Sequence, residues 1–127
     1  MPLSDLIAAL AAAPGPSREL DVMLAGLVFY RDGGTDEPWS AADIAYALGG
    51  ERTCQPPAYT SSLDAITGAI KARWPNYRIN ASWAADYAGA ELFATRPHFG
   101  TAASAVLPLC LCLAAARLAE AEAADAR

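Results

Sequence analysis

The chain has 127 residues, of which 54% are apolar, and a formal net charge of −5. A chain of this length is typical of a single domain, here residues 1–127, and can bury a core without disulfides or metals. The acidic balance, with no cluster of lysines and arginines, excludes a surface that binds bulk nucleic acid.

Membrane insertion and secretion are not indicated either. The longest uncharged run, residues 100–116, contains Pro108 and is shorter than the ~20 apolar residues of a membrane span. The N-terminal residues lack the basic flank of a signal peptide. Three cysteines without a C-x-x-C spacing suit a reducing compartment. We therefore expect a soluble, cytoplasmic protein.

Two helices are predicted near the start of the chain. The first covers residues 4–13 and stops at Pro14-Gly15-Pro16. Ser17 is placed as the N-cap of the second, and the nearby acids Glu19 and Asp21 are interpreted as solvated first-turn residues. Apolar residues then recur at helical spacing, at Leu20, Met23, Leu24, Leu27 and Val28. The two helices should form a hairpin.

Two further helices are predicted from capping patterns. Ser40 lies three residues before Asp43, and Ser61 lies three residues before Asp64, which is the spacing of a capping box. Ser61 is therefore predicted to cap a helix whose apolar face comprises Leu63, Ile66, Ile70 and Trp74. Capping is the preferred interpretation of these hydroxyls, but it is compatible with a ligand site, because a helix N-terminus also offers free N–H groups to anions.

The strands are predicted in the second half of the chain. Residues 76–83 alternate between apolar and polar side chains, with Trp83 expected in the core. Residues 90–95 form a second, antiparallel strand after a short loop. Because two strands alone are marginally stable, a third is expected near residues 27–31 or 52–58.

The last predicted helix covers residues 107–124 and has Pro108 in its first turn. It is apolar nearly all round, which indicates a buried helix. Cys110 and Cys112 should point to different sides of it and be inert. Together these elements predict an α+β fold, in which a small antiparallel sheet is layered with helices as an α/β/α sandwich.

Several segments resemble the phage ABA-sandwich domain family. They are Ser17-Arg18-Glu19-Leu20-Asp21, Tyr59-Thr60-Ser61-Ser62-Leu63-Asp64-Ala65, Trp74, and a terminal helix with Pro108, Leu109, Leu111, Leu113 and Ala114. The resemblance covers most of the chain in order, although residues 29–57 depart from it. It implies a bacteriophage protein acting in the host cytoplasm and an α/β/α layered fold, and it implies no catalytic residues.

Motifs for catalysis and metal binding are missing from the sequence. The single histidine, His98, has no partner at the spacing of a zinc site. Neither a P-loop nor a G-x-S-x-G or G-x-G-x-x-G sequence occurs. We expect no metal, no cofactor and no enzymatic activity.

Residue types that suit a nucleotide-like ligand do occur near the ends of the predicted elements. Aromatic rings can stack on a base, arginines can pair with phosphate, and helix-start hydroxyls and amides can donate to it. Core packing and helix capping are the competing interpretations. The candidate ligand-binding residues are Trp39, Tyr59, Thr60, Ser61, Ser62, Arg78, Trp83, Tyr87, Arg96 and His98.

Three functions follow, in order of preference. The first is a non-enzymatic accessory protein that sequesters a small anionic or nucleotide-type molecule, such as a host immune signal. The second is a protein-interaction or inhibitor module that acts on a host protein. The third is a small hydrolase without a recognised motif. The sequence does not decide between a monomer and a homo-oligomer.

Overall fold

The computed structural model describes residues 3–29, 40–48, 57–84, 87–94, 100–104 and 107–125. Its helices are α1 (Leu3–Ala12), α2 (Arg18–Leu24) with a π-helical continuation (Ala25–Phe29), α3 (Ala41–Leu48), α4 (Leu63–Arg73) and α5 (Leu107–Asp125). Its strands are β1 (Arg78–Ala84), β2 (Tyr87–Phe93) and β3 (Gly100–Ser104). They form one antiparallel sheet in the order β1-β2-β3. The predicted α+β class is confirmed.

Helix α5 lies at the centre of the fold. It packs against β2 and β3 on one side and against α1 and α4 on the other. Cys110 and Cys112 point to these two opposite sides of α5, as predicted. Cys110 Sγ lies 3.3 Å from the Ala102 carbonyl oxygen in the sheet, whereas Cys112 Sγ lies 3.3 Å from the Tyr59 carbonyl oxygen. Both thiols are buried.

Close approach between α5 and β3 depends on a glycine. A Cβ atom added to Gly100 would overlap the carbonyl oxygen of Ala114 and lie 3.2 Å from Leu118 Cβ. The backbone of α5 can therefore approach the end of β3 only because residue 100 has no side chain. Small residues follow it in β3, whose sequence is GTAAS.

The second helix begins as predicted and then changes its winding. Ser17 is the N-cap of α2, and its Oγ accepts from the Leu20 amide at 3.4 Å. From Ala25 to Phe29 the backbone continues as a π-helix, which the sequence reasoning did not predict. The ring of Phe29 then lies 5.0 Å from the Tyr59 ring and 6.3 Å from the Trp74 ring. This segment therefore packs against the aromatic residues that flank α4.

Three sequence predictions about element positions need correction. The N-cap of α4 is Ser62 and not Ser61, because the Ser62 hydroxyl accepts from the Ala65 amide at 3.2 Å. Leu63, the first residue of α4, is exposed and not part of its apolar face. The third strand is β3 at residues 100–104. In the expected regions, residues 27–29 are helical and residues 57–58 are not strand, while the other positions lie outside the described residues.

The described layers are the sheet, then α5, then α1 and α4. On the sheet face that points away from α5, exposed side chains occur in all three strands: Arg78, Asn80, Ser82, Glu91 and Thr101. A helical layer on this outer face, which a full α/β/α sandwich has, does not occur among the described residues. The assignment of residues 1–127 to one domain stays a prediction.

Candidate functional site

The segment before α4 is tied to the start of α2 by a buried carboxylate. Asp21 Oδ1 accepts hydrogen bonds from both the Thr60 amide and the Thr60 hydroxyl, each at 2.8 Å. The Ser17 amide donates to Thr60 Oγ1 at 2.9 Å, and Arg18 donates to Asp21 Oδ2 at 3.1 Å. Asp21 is only 2% exposed, so its interpretation as a solvated acid is wrong.

This network determines what the four residues before α4 can do. Tyr59 and Thr60 are fully buried, and both polar groups of Thr60 bond to Asp21. Ser62 caps the helix. Ser61 is exposed, and its hydroxyl lies 3.4 Å from the Ala58 carbonyl oxygen. The described geometry of this segment is therefore that of a structural joint between α2 and α4.

The next two candidates, Arg78 and Trp83, lie on the same strand but do not share a surface. They are five residues apart in β1, which places them roughly 16 Å apart and on opposite faces of the sheet. Arg78 is exposed on the outer face. Trp83 lies on the face that α5 covers, because its cross-strand partner is the buried residue Ala88.

The remaining candidates do not complete a ligand site in the described residues. Tyr87 is the first residue of β2 and pairs with Ala84 in the register. Trp39, Arg96 and His98 lie outside the described residues. The candidate site is thus not assembled by the described part of the chain, and ligand binding at these residues stays a prediction.

The sequence predicted Trp83 in the core, and this prediction is wrong because its side chain is 69% exposed. The alternation predicted its face correctly, since Ile79, Ala81 and Trp83 align with Leu92, Ala90 and Ala88 of β2. Helix α5, however, packs on β2 and β3, so it covers less of the sheet near β1. The last three residues of β1 are all exposed.

The outer edges of β3 and β1 differ in their contacts with the helices. In β3, the carbonyl oxygen of Thr101 accepts a hydrogen bond from Arg117 of α5 at 2.8 Å. For β1, no such contact from a helix occurs among the described residues. We call the side of residues 78–84 that β2 does not pair the β1 edge. It is the open edge of the described sheet.

A shallow depression of about 240 Å³ lies over the middle of the sheet. Its lining includes Gly89, which lacks a side chain, and the polar residues Asn80, Ser82, Glu91 and Thr101. These groups include hydroxyls, an amide and a carboxylate, so the depression can form hydrogen bonds but carries a negative charge.

The thiols of the two described cysteines are held in unreactive states. Burial raises the pKa of the Cys110 and Cys112 thiols, which keeps both protonated at neutral pH. Within the described ranges, no three His, Cys, Asp or Glu side chains come together as metal ligands. Of the described helices, none combines the length and apolar character needed to cross a membrane.

Comparison with known proteins gives no relative from which a role could be transferred. No family model, no curated protein and no solved structure matches this chain. The resemblance to phage ABA-sandwich domains, with the viral origin and host cytoplasm that it implies, therefore stays a prediction.

Proposed function

We propose that this protein is a non-enzymatic protein-interaction module and that its partner docks at the β1 edge. The observation that carries this proposal is the 69% exposure of Trp83 beside that edge. The alternative in which the protein sequesters a small molecule draws on residues that the described structure does not bring together.

An exposed tryptophan is an unusual use of that residue. Tryptophan is enriched at the centre of protein interfaces and among the residues that contribute most to binding. Because 69% of a side-chain surface of roughly 200 Å² is exposed, covering Trp83 would contribute about 3.5 kcal/mol at about 25 cal/mol per Å². Trp83 is more exposed than Tyr46 and Leu63, the other exposed large apolar side chains in the described ranges.

The strand next to it also suits an added strand. Natural edge strands are usually blocked by lysine, proline, a bulge or a covering element, because unpaired backbone groups pair readily with another chain. β1 has the sequence RINASWA, whose one charge is at its first residue. A partner strand would gain backbone hydrogen bonds along the edge and a side-chain contact with Trp83.

Two further observations favour binding over catalysis. The thiols of Cys110 and Cys112 are poor nucleophiles, since burial raises their pKa. The carboxylate of Asp21 already accepts three hydrogen bonds, from Thr60 and Arg18. Among the described residues these groups are buried within the fold, whereas Trp83 beside the β1 edge is exposed.

Site-specific photo-crosslinking in cells that express the protein tests this function. A benzophenone side chain at the exposed position Ala84 should give protein adducts, and these should be lost when Trp83→Ala is added. The same probe at Lys71, exposed on α4, is the matched control and should give few adducts. Absence of adducts from Ala84, or adducts that do not depend on Trp83, would contradict the proposal.

Small-anion binding remains a second candidate because of Arg78. Its exposed guanidinium lies on the same face as the depression around Gly89, two residues from Asn80. Calorimetry against linear and cyclic nucleotides tests it, with Arg78→Ala expected to abolish the heat and Lys71→Ala, a cation on α4, to leave it unchanged. No heat from any nucleotide would exclude this candidate.

A further inference from the structure

We propose that the occupant of the β1 edge is a second copy of this chain, whose β1 adds antiparallel with Ala81 on a two-fold axis. The inference rests on the proposed function, because it uses the same edge. The product would be a continuous six-stranded sheet, with three strands from each copy.

The length of β1 favours this register. Centring the two-fold axis on Ala81, the middle residue of the seven in β1, pairs every residue of the strand. Registers centred on Asn80 or Ser82 leave part of the strand unpaired. The resulting pairs between copies are Arg78 with Ala84, Ile79 with Trp83, Asn80 with Ser82, and Ala81 with itself.

The pairs in this register are chemically compatible on both faces. On the face towards α5, each exposed Trp83 would lie against Ile79 of the second copy, an aromatic and β-branched pair that stabilises sheets. On the outer face, Asn80 would lie opposite Ser82 and could exchange a hydrogen bond. Arg78 would lie opposite Ala84, and the two copies of Arg78 would be about 20 Å apart. No like charges are opposed.

The position of α5 explains why a second copy would cover Trp83. Helix α5 packs on β2 and β3, while the last three residues of β1, Trp83 among them, are exposed. In the dimer, the two β1 strands would lie side by side between the β2 strands of the two copies. Each copy would thus cover the exposed Trp83 of the other with its Ile79.

The negative charge of each copy opposes association and predicts how the dimer responds to salt. Each copy carries a formal charge of −5, so two copies repel each other at long range. Salt screens this repulsion, while the contact of Trp83 with Ile79 is apolar and is not weakened by it. We therefore expect the dimer to become stronger as salt concentration rises, which is opposite to the behaviour of an interface held by ion pairs.

Cysteine pairs on the outer face test the register in purified protein. Asn80→Cys and Ser82→Cys would be made separately in a Cys54→Ser background, with the buried Cys110 and Cys112 retained. Opposite residues of an antiparallel pair have Cα atoms about 4.5–5.5 Å apart, within the reach of a disulfide. The same position in the two copies would be about 8 Å apart, which is too far.

The expected result is a disulfide-linked dimer when the two variants are mixed and oxidised, and little dimer from either variant alone. Ala81→Cys alone should also form the dimer. Equal linkage in all samples, or none in the mixture, would overturn the self-pairing. If Ala84 gives adducts with another protein in cells while the mixture forms no dimer, the docking function stands and the second copy is not the occupant.

Discussion

Asp21 and Thr60 are 39 positions apart in the chain, yet the amide and the hydroxyl of Thr60 both lie 2.8 Å from the same Asp21 oxygen. This joint fixes the start of α4 against the start of α2. It also keeps Thr60 buried, where a ligand cannot reach it. The exposed candidate for recognition is therefore the β1 edge and not the start of α4.

Asp21→Ala should lower the free energy of unfolding by about 3–5 kcal/mol. Two buried donors of Thr60 would lose a charged acceptor, and each hydrogen bond of that kind contributes about 1.5–3 kcal/mol. Urea denaturation followed by circular dichroism measures the change. Glu19→Ala is the matched control, since Glu19 is an exposed acid in the same helical turn. Similar small losses at both positions would show that the joint is not stabilising.

Ser62→Ala should lower stability by about 1 kcal/mol, because Ser62 is the N-cap of α4 and the Ala65 amide would lose its acceptor. Ser61→Ala, one residue earlier, should change it by less than about 0.5 kcal/mol, as expected for an exposed site. Thermal denaturation of the two variants distinguishes them. A larger loss at Ser61 would restore the cap position predicted from the sequence.

Gly100→Ala should destabilise the protein by about 1–3 kcal/mol or more. The new methyl group would overlap the Ala114 carbonyl oxygen and force α5 away from β3. Gly68→Ala is the informative comparison, because a Cβ at Gly68 meets nothing within 4 Å. That change lies inside α4 and should stabilise by about 0.5–1 kcal/mol. Melting temperatures of both variants check the pair, and a shift in the same direction would contradict the packing described for α5.

Stability should fall as the pH rises above about 9, in part because of Cys112. The unfolded chain loses this thiol proton near the ordinary value of 9.0, whereas burial raises the pKa of Cys112 in the folded protein. Above pH 9 the folded state therefore binds more protons than the unfolded state, and the free energy of unfolding decreases by up to about 1.4 kcal/mol per pH unit for this thiol.

The difference between wild type and Cys112→Ala isolates that contribution from other titrating groups. Urea denaturation at several pH values between 8 and 10.5, a range around the unfolded thiol pKa, should show a steeper fall for the wild type. Parallel pH profiles for the two proteins would mean that the Cys112 thiol ionises as easily in the folded state as in the unfolded chain.

The elements that the sequence predicted correctly are those with a strong local signal. Ser17 as a cap, the apolar stripe of α2, and Pro108 in the first turn of α5 all follow from periodicity and capping alone. The opposite directions of Cys110 and Cys112 follow from helix geometry. Each of these features depends on neighbours within a few residues.

The errors have a common origin in packing between distant segments. β3 lacks large strand residues, and Gly100 must stay small because it lies against α5, so the sequence GTAAS gives no strand signal. Trp83 lies on the predicted face, but no local pattern shows that α5 packs on β2 and β3 rather than on β1. Thr60 is buried because of Asp21, and a helix-start hydroxyl offers no sign of such a partner.

The most direct test of the β1 interface is sedimentation velocity of the wild type, Trp83→Ala and Tyr46→Ala over a wide concentration range. Tyr46 is 53% exposed on α3 and controls for the loss of an exposed aromatic side chain elsewhere. We expect the wild type and Tyr46→Ala to form dimers, more strongly at higher salt, and Trp83→Ala to dissociate at least about thirtyfold more readily. A wild type that stays monomeric throughout, or a Trp83→Ala variant that dimerises equally well, would contradict self-pairing at β1.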